Sequence, residues 1–332
     1  MLYHHPRART DLPRSDGALA LAGSGHVWFD TVDTFDGAGV RQAGRAATGL
    51  ASPRPILPCL PSDRPLVMGI LNVTPDSFSD GGAAFAPDAA LTRAREMVAA
   101  GADILDIGGE STRPGAADVA VPEEISRTAP LVAAIRADGI TTPISIDTRK
   151  ARVAEAALAA GANIVNDVSA LTYDPDLATV TAAAGAPVCL MHAQGTPQTM
   201  QADPRYDDVL IDVYDGLARR MDFAVARGID PAQIITDPGI GFGKTMAHNL
   251  TLLQGLSLFH SLGAPILLGA SRKRFIGTLS GVEDADKRMP GSIAVALMAA
   301  GQGAQIVRVH DVAETVQALA LWRALTKTGA SS

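Results

Sequence analysis

Cysteine is nearly absent: Cys59 and Cys189 are the only two in 332 residues. That is too few for a disulfide framework or a thiolate metal cluster, and it fits a reducing cytoplasm. Aromatic residues are scarce at 4%. No apolar run approaches the roughly 20 residues a membrane span needs, and no secretory leader pattern opens the chain. Positive charge is not in excess either. A net charge of -7 argues against a nucleic-acid surface, because phosphate contacts need clustered Lys and Arg. The expected protein is cytoplasmic, with neither nucleic acid nor membrane as partner. Any anionic ligand must be met by local cations.

What is present is core material. Hydrophobic residues make up 47% and charged residues 19%, which carries no disorder signature over most of the length. Residues 1–62 differ in kind. They hold His4-His5, scattered arginines and a proline-dense end at Pro53, Pro55, Pro58 and Pro61. Only Val27-Trp28-Phe29 looks strand-like, so an N-terminal extension, extended or partly disordered, is expected. From Leu66 a rhythm begins. Short apolar runs recur at 66–71, 103–107, 143–146, 163–165, 187–191, 233–236, 266–269 and 305–309. Helical stretches lie between them, at 89–100, 122–138, 150–160 and 206–227, each stopped by a glycine. Eight buried strands alternating with helices match a TIM (β/α)8 barrel over 63–328, although an open doubly wound sheet has the same rhythm.

The polar residues tip the balance. Each run ends in groups a core would not choose: Asn72; Gly108-Gly109-Glu110; Asp147-Thr148-Arg149; Asn166-Asp167; His192 with Gln194; Asp237-Pro238-Gly239; Ser271-Arg272-Lys273-Arg274; and Arg308 with His310-Asp311. In a barrel these ends converge on the face that carries active sites. Asp147, Asp167 and Asp311 could each be a helix N-cap, as could Asp88, but capping does not explain eight strands in a row. A carboxylate can take two parallel hydrogen bonds from a flat, guanidine-like ring edge. Arg113, Lys273, Arg308 and His310 offer donors to anions, and Asn72 a neutral oxygen of the kind Mg²⁺ accepts beside phosphate. Gly243-Lys244-Thr245 lacks the first glycine of a phosphate-binding loop, and Gly239-Ile240-Gly241 the third glycine of a dinucleotide fingerprint. No zinc motif and no Gly-x-Ser-x-Gly nucleophile occurs.

Five stretches, namely 69–82, 106–115, 237–244, 271–273 and 308–311, together resemble the dihydropteroate synthase family of the folate pathway, in family order and across roughly residues 65–328. The resemblance implies a TIM barrel that joins para-aminobenzoate to 6-hydroxymethyl-7,8-dihydropterin diphosphate, with Mg²⁺, releasing pyrophosphate. It implies that Asp147, Asn166, Asp237 and Lys273 hold the pterin, and that Asn72, Arg308 and His310 meet the diphosphate, with the metal at Asn72. Thr112, Arg113 and Phe242 would line the aminobenzoate site, and residues 73–82 would close over it after the pterin has bound. It also implies a homodimer through the late helices, about 273–301 and 311–326, and inhibition by sulfonamides. Ala193 stands where the family often has methionine, and Arg274 where many members have serine. Two alternatives remain beside it: a pterin-binding paralogue without this activity, and a methyltetrahydrofolate–corrinoid methyltransferase. The latter has no need of Arg308 and His310 or of the long loops.

Overall fold

The computed structural model describes residues 2–36, 41–45, 48–73, 87–111, 116–195 and 199–327. Its centre is an eight-stranded parallel sheet. The strands are β6 (Leu66–Asn72), β7 (Ile104–Gly108), β8 (Ile144–Asp147), β9 (Ile164–Asp167), β10 (Val188–Met191), β11 (Ile234–Asp237), β12 (Leu267–Gly269) and β13 (Ile306–Val309). Neighbours pair in the order β11-β10-β9-β8-β7-β6-β13-β12. A parallel bridge between Thr236 and Ile266, with Thr236 N–H donating to Pro265 O at 2.9 Å, joins the two ends. The sheet therefore closes into the expected TIM barrel.

The strands read as continuous apolar runs because both of their faces are covered. Outward residues such as Val67, Leu105, Ile146, Val165, Leu190 and Leu268 pack in the large cluster shared with the helices. Inward residues divide by height. At the base Leu66, Met68, Ile104, Ile164, Cys189, Ile235, Leu267 and Ile306 form a separate apolar plug, sealed from below by Ile56, Leu57 and Leu60. One or two inward steps higher on several of the same strands stand Asn72, Asp106, Asp147, Asn166, Asp237 and Arg308. An apolar floor with a polar ceiling is what places the site at one end.

Helices α1 (Pro87–Ala99), α2 (Val121–Ala137), α3 (Ala151–Ala159) and α5 (Val209–Ala226) fall close to the stretches read from the sequence, and α4 (Leu177–Ala184) and α6 (Met246–Gln254) are additional. The late run at 273–301 is not continuous. It breaks into α7 (Arg274–Ser280) and α8 (Met289–Gly301), because Gly281 turns left-handed at φ 70° and Pro290 opens the second helix. The last helix is α9 (Val312–Thr326).

The described part of the extension is built into strands: β1 (Tyr3–Pro6), β4 (Thr31–Phe35) and β5 (Arg41–Arg45) form an antiparallel sheet, and β2 (Leu19–Ala20) pairs with β3 (Trp28–Phe29). β3 falls on the stretch read as strand-like, and the pieces are too short to show a period of two. The extension is anchored to the barrel by Tyr3 Oη, 3.1 Å from both carboxylate oxygens of Asp215. Its Arg54 is buried, donating to Ala264 O at 2.9 Å and His260 O at 2.7 Å.

Candidate active site

Strand register builds the floor of the site. Asn72 pairs with Gly108, Gly108 with Asp147 and Asp147 with Asn166, so four adjacent strands present one row at the top of the barrel. Gly108 keeps that row open: a Cβ there would lie 3.4 Å from the Cβ of Asp147 and 3.6 Å from Asn72 Oδ1. Across the barrel Gly269 does the same, since a Cβ would lie 3.7 Å from Asp237 Oδ2 and 3.8 Å from Arg308. Two missing side chains thus leave space between carboxylates and cations.

Arg308 crosses that space. Its Nε donates to Asp106 Oδ2 and its Nη2 to Asp147 Oδ2, both at 2.6 Å. Asn166 Nδ2 lies 3.4 Å from both oxygens of Asp106. Asp147 Oδ1 is buried and has no hydrogen-bond partner among the described residues. Burial pushes the Asp147 carboxyl up to about 7, with Asp106 adding to the rise and Arg308 opposing it. Burial alone would depress the Arg308 guanidinium, but Asp106 and Asp147 together hold it above its ordinary value.

The opposite wall is made by the loop after β11. Asp237 Oδ1 accepts from Gly239 N–H at 2.7 Å, and burial raises this carboxyl while Lys273 opposes the rise. Lys273 Nζ lies 4.5 Å from the centroid of the Phe242 ring and donates to Ile240 O. Burial lowers its ammonium to about 8, against the pull of Asp237. Lys273 is aimed by its neighbour Arg272, which adopts φ 58° and is pinned by Ser292, Asp311 and Arg288. His310, at the end of β13, takes its backbone N–H and Nδ1 to Ser271 Oγ at 3.2 and 3.0 Å. Arg274 is exposed at the start of α7.

The structure therefore brings together Asp147, Asn166 and Arg308 on one side, and Asp237, Lys273 and Phe242 on the other. Thr112 and Arg113 lie outside the described residues, as do positions 74–82 of the expected closing loop. The capping readings do not hold. Asp147 binds Arg308, Asp311 stands at the N-cap position of α9 but turns its side chain to Arg272 and caps no N–H, and Asp167 accepts from Ser169 and Leu171 N–H in the loop before α4. Asp88 lies inside the first turn of α1.

Sequence reasoning assigned no role to Asp106, the partner of both Arg308 and Asn166. Its signal was a carboxylate at an inward position of a strand otherwise apolar. A buried ion-pair cluster at the feet of the β7–α2 loop was also missed. Glu110 accepts from Lys150 at 2.8 Å, Arg149 at 3.0 Å and Val119 N–H at 2.8 Å, while Lys150 also reaches Glu124 at 2.7 Å. Burial would raise the Glu110 carboxyl, but Lys150 and Arg149 prevail and hold it below its usual range.

Known proteins decide the family. The family model described as pterin binding enzyme matches residues 68–310. The dihydropteroate synthase of Escherichia coli is 49% identical over 255 residues, covering 77% of this chain and 89% of that protein. The chain belongs to the dihydropteroate synthase family. A structure of the Xanthomonas albilineans dihydropteroate synthase with 4-aminobenzoic acid is 47% identical, with a TM-score of 0.76 over 80% of this chain and 95% of that one. A Yersinia pestis dihydropteroate synthase in complex with a sulfonamide drug is 49% identical, with a TM-score of 0.75 over 79% and 94%. The matched span is the barrel and its polar ceiling.

Proposed function

We propose that the chain is a transferase that condenses para-aminobenzoate with 6-hydroxymethyl-7,8-dihydropterin diphosphate, giving 7,8-dihydropteroate and pyrophosphate. The observation that carries this reading is a buried oxygen of Asp147 with no partner among the described residues, at the barrel end where Asp147 shares a row with Asn72, Gly108 and Asn166. A buried acceptor without a donor is unfavourable by about 1–3 kcal/mol. A flat heterocycle that presents N–H groups along its edge supplies the donor. Asp147, Asn166 and Asp237 take those N–H groups, and Lys273 donates to the ring's acceptors.

The diphosphate lies toward Asn72, Arg308 and His310. Asn72 supplies one neutral oxygen at a strand end, and among the described residues no cluster of three or more His, Cys, Asp or Glu could cage a metal ion. That donor set suits Mg²⁺, which takes few protein ligands and completes its shell with phosphate oxygens and water. Bound there with Asn72, Mg²⁺ would neutralise charge on the leaving group. The aminobenzoate lies beside Phe242 and the Thr112-Arg113 loop.

In the reaction the aryl amine nitrogen forms a bond to the exocyclic methylene carbon as its C–O bond to the diphosphate breaks. The electron pair leaves on pyrophosphate and the excess amine proton passes to solvent. No enzyme nucleophile is needed. Asp147 and Asp237 favour the electron-poor pterin, Lys273 and Arg308 stabilise the departing charge, and the walls hold the amine nitrogen, the methylene carbon and the leaving oxygen in line. The alternatives of a methyl carrier and a silent paralogue use the pterin pocket but leave the diphosphate side without purpose.

The chain works in the cytoplasm as a homodimer, a reading supported by its two unpaired cysteines and by Leu279, Leu321 and Leu325, exposed on α7 and α9. The test of the reaction is chromatographic detection of dihydropteroate from the two substrates, with Asp237→Asn as control. Product from wild type and about a hundredfold less from the variant are expected. Full turnover by Asp237→Asn would contradict the electrostatic role of Asp237.

A further inference from the structure

The Gly243-Lys244-Thr245 sequence binds no phosphate by its pattern, yet Lys244 is 3% exposed and stands beside the site. Its ammonium has three N–H groups and three neutral acceptors: His192 Nδ1 at 3.1 Å, His192 O at 3.1 Å and Phe242 O at 3.0 Å. It makes no ion pair among the described residues. Four consecutive carbonyls of the β11–α6 loop are each held by a different side chain. Ile240 O accepts from Lys273, Gly241 O from Gln201 at 2.7 Å, Phe242 O from Lys244, and Gly243 O from Tyr206 Oη at 2.8 Å. The carbonyl beneath the aromatic ring is the one that Lys244 holds.

We propose that Lys244 is a positioning residue for the aminobenzoate side of the site, fixing Phe242 over Lys273 through the Phe242 carbonyl and bracing it against His192. The proposal rests on the reaction proposed above. The brace is stiff at its other end, because His192 N–H donates to Asp237 O at 2.9 Å and the imidazole packs on α5, where a Cβ at Gly216 would come within 2.7 Å of it. Burial and the neighbouring Lys244 push the imidazole down to about 3, so it is neutral and its Nδ1 accepts. Asp237 and Lys273 are the charged groups that act on Lys244. Burial, opposed by Asp237 and reinforced by Lys273, brings its ammonium down to about 7. A neutral amine has one N–H fewer for the same three acceptors, so the brace weakens as pH rises through neutrality.

The test is steady-state kinetics of the full chain carrying Lys244→Met. Loss of a charge-assisted hydrogen bond predicts a KM for aminobenzoate raised about tenfold, with kcat and the KM for the pterin diphosphate within about twofold. Phe242→Ala supplies the second arm: added to it, Lys244→Met should raise the aminobenzoate KM no further, because the two act through one ring. An unchanged aminobenzoate KM, an equal rise in both KM values, or full additivity with Phe242→Ala overturns the proposal. If Lys244→Met does not fold, Lys244→Gln is measured in the same way with the same criteria. A wild-type enzyme with no aminobenzoate-dependent turnover defeats the assigned reaction, whereas normal turnover with an unchanged KM in the variants defeats the role of Lys244 alone.

Discussion

Arg308 ties Asp147 to Asp106 across the mouth of the barrel, with one 2.6 Å hydrogen bond to each carboxylate. Both acids are buried, and among the described residues neither has another cation in contact. Arg308→Met leaves two buried carboxylates uncompensated, so the apo protein should lose about 3–5 kcal/mol of stability at pH 7. Urea unfolding measures this. The deficit should shrink as pH falls below about 7 and Asp147 takes up a proton, and a deficit independent of pH would show that packing dominates.

Asp147 gives the site a proton to release. Its carboxyl is raised from 3.8 to about 7 by burial, so between those values the folded chain binds a proton that the unfolded chain has lost. The contribution to stability is therefore present below about pH 4 and is lost as pH rises through about 7. Asp147→Asn should flatten that slope in urea unfolding. A pterin that donates to Asp147 favours the charged form, so binding near pH 6.5 should release protons. Calorimetry in buffers of different ionisation enthalpy measures that release, and a buffer-independent heat would contradict it.

Lys273 loses its charge earlier than an ordinary lysine, at about pH 8, through burial. Turnover per pterin diphosphate bound should fall above that pH as the cation disappears. Lys273→Met should lower kcat/KM by about a hundredfold or more at pH 7 and remove the alkaline limb. A retained limb would assign it to another group.

The extension is expected to stabilise the barrel without touching the chemistry. Arg54 fills a buried site against His260 and Ala264 at the base, and burial with the adjacent Arg54 pushes the His260 imidazole down to about 3. Arg54→Ala should destabilise the protein by about 2–4 kcal/mol, since three buried acceptors lose their donor. Both KM values should stay unchanged; a selective rise in either would link the base to the site.

How much was legible follows from the distance over which each signal acts. The barrel strands were visible because each is a short run of apolar residues buried on both faces, and the site end because polar groups follow every run. Asn166, Asp237 and Lys273 could be named one strand at a time. The Arg308 contacts could not, because they join residues 161 and 202 positions apart through barrel closure and register. Asp106 hid inside a run read as core, and its inward direction is clear only once Asp106 pairs with Ser145 on β8. The strands of the extension are two to five residues long, so apart from Trp28–Phe29, which read as strand-like, no periodicity marked them. Lys244 was visible as a residue but not as a brace, since two of its three acceptors, both on His192, lie 52 positions away.

The most direct measurement is pyrophosphate release from 6-hydroxymethyl-7,8-dihydropterin diphosphate, followed with and without para-aminobenzoate in the presence of Mg²⁺. The account predicts release that depends on aminobenzoate, saturates with it and is blocked by a sulfonamide competing for the same site. Release at the same rate without aminobenzoate, or no release with it, would contradict the account.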